Sequence, residues 1–400
     1  MKTTKIFMLI VTFIFQTLVS LSIADDQAKR TEFIPDQNWP DNNGVHINAH
    51  GGGIMFFDGT YYWFGEHKVA GEKGNQAHVG VHCYSSQDLY NWFDEGVALK
   101  VSDDPKSKIA AGCTLERPKV IYNAKTKTFV MWFHLEPKGG GYGGARSGVA
   151  VADEVIGPYR YIKSMRPNAG HWPINVRDEQ KDPKTIEEAK AAGIFSNGEN
   201  EKTPKFNILG RDFKEGQHAR DMNLFVDDDG KAYHIYSSEH NSTLHISQLT
   251  DDYLDESGKY VRAFENRWME GAAICKCNGK YYLIASGCTG WAPNPVRSAV
   301  ADSIWGPWKE LGNPCVGVNP KSKLGPEKTF GGQSTFILPV QGKKDAFIAM
   351  FDVWRPKDAI TGGYVWLPMQ FTGDGFKIEW MDRWDLSFFD TIKIHAEHTD

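Results

Sequence analysis

The sequence predicts an all-β fold, a five-bladed β-propeller, on three observations. A hairpin pattern returns five times: a polar or acidic residue, a short apolar strand, a polar turn and a second apolar strand. Two further strands follow most of these hairpins, giving units of about four antiparallel strands, the repeat from which propellers are built. Thirteen Trp, 15 Tyr and 23 Phe beside 40 Gly favour strands and tight turns over helix bundles.

Taken in order, Met1 to Ala24 reads as a secretory signal. Lys2 and Lys5 charge its start, Ile6 to Ile23 are mostly apolar, and Ser22-Ile23-Ala24 offers small residues for cleavage. A retained membrane anchor is the alternative, weakened by Thr12, Gln16, Thr17 and Ser20. The mature chain is therefore expected to be secreted or periplasmic, with no stable membrane insertion after signal removal. Residues 25–44 are polar, contain Pro35 and Pro40, and read as an extended leader into one propeller domain over residues 45–400.

The first unit runs from Asn48-Ala49-His50-Gly51-Gly52-Gly53 through an Asp58-Gly59 turn to Glu66, then Val79 to Ser85 and a turn at Ser86 to Trp92. The second opens at Glu116-Arg117-Pro118-Lys119-Val120, turns at Asn123 to Lys127, and continues as Thr128 to His134 and Ser147 to Ala152, with Gly157-Pro158-Tyr159 opening its last strand. An insertion over about 163–217 follows, in which Thr185 to Ala192 has a helical pattern. The third opens at Asp221 and turns at Asp228-Asp229-Gly230, where Gly tolerates positive φ and Asp caps its own backbone. The fourth opens at Glu270, turns at Asn278-Gly279, and closes with Trp305-Gly306-Pro307-Trp308. The fifth opens at Gln333 and ends with Tyr364 to Phe371 and Phe376 to Trp380. Gly139 to Gly144 lacks the lysine and strand–helix context of a phosphate cradle and reads as a flexible lip of the binding face.

A net charge of −5 gives no electrostatic case for nucleic acid. Cys275 and Cys277 share one face of a strand, but no His/Cys pair with zinc spacing accompanies them, so buried thiols are expected and no metal ligand is assigned. Asn241-Ser242-Thr243 is a glycosylation-type triplet expected to stay unmodified.

In a propeller, the residues that open the innermost strands converge on one end of the central channel. Here they are Asn48/His50, Glu116, Asp221, Glu270 and Gln333. Three carboxylates and an amide in one small cavity would shift one another's pKa values, so that one acid stays protonated while another ionises. Two carboxyl groups roughly 6.5–9.5 Å apart are the arrangement for inverting glycoside hydrolysis. The plainer readings are a salt bridge between Arg220 and Asp221, and hydrogen bonds that merely close a blade. Tyr142, Trp291 and Trp354 fall in blade loops, where an aromatic face can stack on a sugar, although most Trp must be core. His50 is expected to bind sugar hydroxyls or a central ion, or else to pack at the strand entry.

From about His46 to Trp384 the chain resembles glycoside hydrolase family 43. The resemblance is carried by Arg220-Asp221-Met222-Asn223-Leu224-Phe225-Val226-Asp227-Asp228-Asp229-Gly230, by Met269-Glu270-Gly271-Ala272, and by the Trp-Gly-Pro-Trp close of the fourth unit. It implies that Glu270 is the general acid and that Asp221 orients it and tunes its pKa. Most of the family carries a first-blade aspartate as base, where this chain has Asn48-Ala49-His50-Gly51-Gly52-Gly53. That departure, with Glu116-Arg117-Pro118-Lys119-Val120, resembles the exo-β-1,3-galactanase subgroup. There a glutamine opening the fifth blade, here Gln333, holds the attacking water as its imidic acid with Glu116 polarising the site. Glu116 as the base itself is the alternative, and the sequence leaves both open.

The expectation is an exported, exo-acting, inverting glycoside hydrolase that releases terminal galactose from plant-type glycans. It is expected to need no cofactor, with a structural calcium or other ion in the propeller channel as the one candidate. An α-L-arabinofuranosidase or galactofuranosidase is the rival enzyme, and a non-catalytic glycan-binding propeller is the rival of another class. A metal-dependent lyase or an esterase lacks both a zinc-ligand pattern and a nucleophile elbow.

Overall fold

The computed structural model of the protein describes residues 29–193, 204–373 and 375–391. The expected signal peptide at 1–24 lies outside the described residues. Five antiparallel sheets surround one channel. Their innermost strands are His50–Phe57, Thr114–Asn123, Met222–Val226, Met269–Cys277 and Gln333–Pro339. These five pack side by side in chain order, and the fifth closes against the first. Period-2 alternation explains the packing: successive residues such as Trp63 and Phe64, Trp132 and Phe133, or Leu283 and Ile284 are all buried, pointing in turn into the interfaces on the two sides of their blade. Truncating a fully buried Trp in such a core costs about 3–5 kcal/mol.

Most expected strands shift only at their ends. The third strand of the first blade is Gly80–Ser86, and the last strand of the second starts at Arg160 rather than at Gly157-Pro158-Tyr159. Proline has no N–H for the ladder, and Pro158 stays outside it. The fifth sheet gains an outer strand that the sequence did not announce, Cys315–Val316, parallel to Gly375–Glu379. The ring is closed by the leader: Phe33 and Trp384 exchange both backbone hydrogen bonds, at 2.7 and 3.1 Å, and stack at 4.4 Å. Cys275 and Cys277 are buried free thiols.

In the insertion, the helix Pro183–Ala192 starts where Asp182 accepts from the Lys184 N–H and a proline occupies its first position. The segment lies against the third blade through Asn175, whose amide donates to the Arg262 carbonyl at 2.8 Å, and through the Arg177–Glu265 ion pair. Its end is tied to the second and third blades by the Ala219 N–H on the Ala145 carbonyl and the Arg220 N–H on the Ser237 carbonyl. Those two bonds set the position of Asp221.

A β-bulge follows the opening residue in four of the five blades, between His50 and Gly53, Glu116 and Lys119, Glu270 and Ala273, and Ser334 and Phe336. A bulge re-aims the side chain beside it. Three of these bulges carry a residue in the left-handed region: Gly51, Arg117 and Gly271, at φ 61°, 56° and 58°. At Gly271 a Cβ would stand 2.2 Å from the Ser334 carbonyl oxygen, so only glycine fits.

Candidate active site

The structure brings Glu116, Asp221, Glu270 and Gln333 to one cavity of about 280 Å³, with Tyr142, Trp291 and Trp354 also in its wall. Each opening residue also meets a partner on the second strand of its blade.

In the second blade that partner is His134, which pairs across the strands with Glu116. Its Nδ1 lies 3.1 Å from Glu116 Oε2 and its Nε2 lies 3.0 Å from Glu136 Oε1. Tyr142 donates its hydroxyl to Glu116 Oε1 at 3.0 Å, and the Ala145 N–H donates to Glu136 Oε2 at 2.8 Å. The glycine-rich lip is therefore fastened to these two acids through its middle, at Tyr142, and at its C-terminal end, at Ala145. Burial alone would depress the His134 pKa, but hydrogen bonds to the two carboxylates outweigh it and raise the value to about 9. For Glu116, burial favours the neutral acid, and His134 overturns that to bring the carboxyl down to about 2. Glu116 is thus a carboxylate held ionised.

In the third blade Asp221 does not pair with Arg220. Its Oδ2 meets Arg117 Nη2 at 2.8 Å and accepts the Gly271 N–H at 3.0 Å. Arg220 instead donates to the Tyr142 carbonyl at 2.9 Å. In the fourth blade the partner of Glu270 is Ser286, with no cation across the strand. Glu270 Oε1 accepts from Asn241 Nδ2 at 2.7 Å, and Oε2 stands 3.4 Å from Gln333 Nε2. Burial, reinforced by the negative charge of Asp221, raises the Glu270 carboxyl to about 7. One carboxyl is thus ionised and another mostly protonated below neutrality, the division of labour that hydrolysis of a glycosidic bond needs.

In the fifth blade Gln333 Oε1 accepts from Arg117 Nη2 and from Trp354 Nε1, each at 2.7 Å, while Nε2 donates to Ser286 Oγ at 2.9 Å. Trp354 lies beneath the Arg117 guanidinium at 5.3 Å and meets Trp291 edge-on at 5.7 Å. Trp291 and Tyr142 keep about 40% and 46% of their surface exposed, so both offer an aromatic face at the rim.

The expectation for His50 is corrected by its placement. The side chain is 0% exposed, stacks on Tyr364 at 5.2 Å and packs against Gly362, away from the cavity. Its cross-strand partner Glu66 reaches the cavity wall instead, so in this blade the acid stands on the second strand and the histidine on the first. Glu66 is paired with Lys68 at 2.5 Å and accepts the Arg117 N–H at 3.0 Å. Among the described residues a channel ion also finds no fitting shell. Glu116, His134 and Asp221 each present an atom within 4.8 Å of the others, but both His134 nitrogens face carboxylates and Asp221 is neutralised by Arg117. Beneath them the inner strands enclose the side chains of Arg117 and Lys119, and the guanidinium of Arg117 repels a cation such as calcium.

Sequence reasoning missed Glu66, Arg117, His134 and Asn241 as site residues. Asn241 was visible only as part of a glycosylation triplet. In the structure it ends a run of three left-handed residues, Glu239, His240 and Asn241, at φ 50°, 59° and 68°. Glu239 anchors that run through a bidentate pair with Arg262, at 2.6 and 2.8 Å.

The solved structure of a family-43 β-1,3-galactosidase in complex with galactodeoxynojirimycin is 50% identical to this chain. The match covers 88% of this chain and 100% of that one, with a TM-score of 0.79. The chain belongs to glycoside hydrolase family 43. The family's sequence profile, "Glycosyl hydrolases family 43", matches residues 189–343. An exo-β-1,3-galactanase from Phanerochaete chrysosporium, solved with β-1,3-galactotriose, is 30% identical over 89% of this chain and 68% of its own, with a TM-score of 0.69. The curated β-D-galactofuranosidase of Aspergillus niger is 30% identical over 112 residues, which are 26% of this chain and 32% of that protein. The match thus spans about a third of that relative's length. As a family-43 member the protein is a glycoside hydrolase whose substrate is a carbohydrate and whose chemistry needs no cofactor.

Proposed function

We propose that the protein is an exo-acting, inverting β-1,3-galactanase that removes terminal galactose from plant-type galactans. The observation that carries this reading is the pair of acids in opposite protonation states, Glu270 raised to about 7 and Glu116 lowered to about 2, in one cavity. Two solved relatives named for β-1,3-galactose chemistry, one with galactodeoxynojirimycin and one with β-1,3-galactotriose, support galactose as the sugar. Glu270 protonates the leaving oxygen, and burial, reinforced by the charge of Asp221, keeps Glu270 protonated. Asn241 fixes its carboxyl, while Trp291, Trp354 and Tyr142 give the sugar apolar faces. Export through the Met1 to Ala24 leader is part of the same proposal, tested by sequencing the amino terminus of the mature protein.

The test is release of galactose from β-1,3-galactobiose, followed by proton NMR. α-Galactose as the first product is expected. Turnover of aryl α-L-arabinofuranoside but not of the galactobiose would move the reading to the arabinofuranosidase rival. Turnover of a galactofuranoside alone would move it to the function of the Aspergillus niger relative. No turnover of any of these would favour a glycan-binding propeller.

A further inference from the structure

We infer that the insertion between the second and third blades braces the catalytic acid, with Arg211 and His240 as positioning residues that act through Asn241. The inference rests on the reading above of Glu270 as proton donor. Three observations lead to it.

The first is the strained turn that carries Asn241. Glu239, His240 and Asn241 join the strands Ala232–Ser238 and Thr243–Leu249, and all three lie in the left-handed region. A run of such residues without glycine persists only where its surroundings fix it. Each side chain leaves the turn in a different direction. Glu239 is held within the third blade by Arg262 and by His245, whose Nε2 lies 2.9 Å from Glu239 Oε1. Asn241 runs forward to Glu270. His240 runs back into the insertion.

The second observation is what His240 meets there. Arg211 donates from Nη2 to His240 Nε2 at 3.3 Å, and the His240 ring stands edge-on to His218 at 4.6 Å. A guanidinium donates and cannot accept, so Nε2 is the acceptor nitrogen of a neutral imidazole. Arg211 is fixed in turn by Asp212, on which its Nε and Nη2 close a bidentate pair at 2.8 and 3.0 Å, and by the Gly193 carbonyl at 3.1 Å. Arg166, just past the last strand of the second blade, meets the same Asp212 at 2.8 Å. Arg211, Asp212, His218 and His240 are all at least nine-tenths buried. Bidentate pairing at that depth gives the cluster one geometry.

The third observation is how little else holds Asn241. Its Nδ2 makes one hydrogen bond, to Glu270, and its Oδ1 is buried with no partner among the described residues. The amide therefore takes its position from the backbone of the turn. Fixing His240 fixes that backbone one residue away from the group that holds the acid.

Arg211→Met tests the brace, because it keeps an apolar stem, leaves Asp212 paired with Arg166 and removes the donor to His240. Turnover of β-1,3-galactobiose should fall several-fold, by no more than in Asn241→Ala, and turnover of an aryl galactoside with a good leaving group should fall less. The alkaline limb of the rate profile should move to higher pH in both variants, since a donor on a carboxyl oxygen favours the ionised form and that donor is loosened or lost. The charged and titratable groups facing Glu270 are Arg117 from the second blade, Asp221 and Arg220 from the third and Cys288 from the fourth, and none is altered. On the Asn241→Ala background, Arg211→Met should cost less than about twofold more, the scatter of uncoupled sites. Should Arg211→Met fail to fold, His240→Asn carries the same test, because asparagine tolerates the left-handed region and is too short to reach Arg211. A folded variant with wild-type turnover and an unmoved limb, or one whose loss multiplies in full with that of Asn241→Ala, overturns the inference. A wild type that does not hydrolyse β-1,3-galactobiose, or a fully active Glu270→Gln, removes the function reading instead. An active wild type, an impaired Glu270→Gln and an Arg211→Met like wild type remove only the brace.

Discussion

Glu116 and Glu270 open the inner strands of the second and fourth blades, and each is followed by a left-handed residue on a bulge, Arg117 at 56° and Gly271 at 58°. Chain direction, bulge and burial are alike, yet one carboxyl is held near 2 and the other near 7. What differs is the neighbourhood. Across the strands Glu116 meets His134, itself held between two carboxylates, whereas Glu270 meets Ser286. The residue after the acid differs too. Gly271 is barred from a side chain by the Ser334 carbonyl, while Arg117 sends a guanidinium to Asp221 and Gln333. A propeller can thus repeat one backbone and hold one carboxyl ionised in one blade and another protonated in the next but one by changing the second strand.

The largest effect that would break this comparison is removal of the acid. Glu270→Gln should lower kcat/KM on β-1,3-galactan about 10²–10⁴-fold and lower it far less on an aryl galactoside with a good leaving group. Equal losses on both substrates would deny Glu270 the role of proton donor.

Next comes His134→Gln, which leaves Glu116 and Glu136 buried without their shared cation, a loss of about 3–5 kcal/mol in stability. Sign fixes the pH dependence. The folded pKa of His134 is raised from 6.5 to about 9, so its stabilisation is complete below about 6.5 and is lost as pH rises through about 9. Denaturant melts of wild type and variant should therefore differ most at pH 6 and converge above pH 9. The variant should also gain an acidic limb in its rate profile as the Glu116 pKa moves upward.

In the wild type, kcat/KM should fall above about pH 7, where Glu270 loses its proton, and the limb should be absent in Glu270→Gln. Glu270 and Asp352 are both carboxyls raised to about 7, chiefly by burial. Their contribution to stability is complete below about 4 and declines as pH rises through about 7. Ser286→His would give the fourth blade the cross-strand cation of the second, and should move the alkaline limb to lower pH. A limb that stays in place would separate the pKa of Glu270 from its strand partner. The smallest effect belongs to Asn241→Ala, which removes one hydrogen bond to Glu270, worth about 0.5–1.5 kcal/mol, and should reduce kcat by several-fold with the fold intact.

The fold was legible because its turns announce themselves. Asp58-Gly59, Asp228-Asp229-Gly230 and Asn278-Gly279 mark three hairpins, and the residue that opens each inner strand can be counted back from such turns. What could not be counted was register across the bulges. Which residue of the second strand faces Glu116, Glu270 or His50 depends on how many residues the bulge absorbs, so His134, Ser286 and Glu66 stayed hidden. The bulge after His50 also explains its correction, since the histidine turns into the core while Glu66 takes the cavity wall. Asn241 was invisible for another reason: three successive left-handed residues have no local sequence code when none of them is glycine.

The paired strand ends at Phe33 and Trp384 have a consequence for protein engineering. Two segments 351 residues apart in sequence share two backbone hydrogen bonds and a stacked aromatic pair at the seam of the fifth and first blades. With that seam joined by a short linker, the chain becomes a covalent ring. New termini can then be opened in the exposed turn at Asp228 to Gly230, at the opposite end of the inner strand from Asp221. Such a circular permutant keeps every blade, and it would carry a fused partner without crowding the mouth through which the sugar enters.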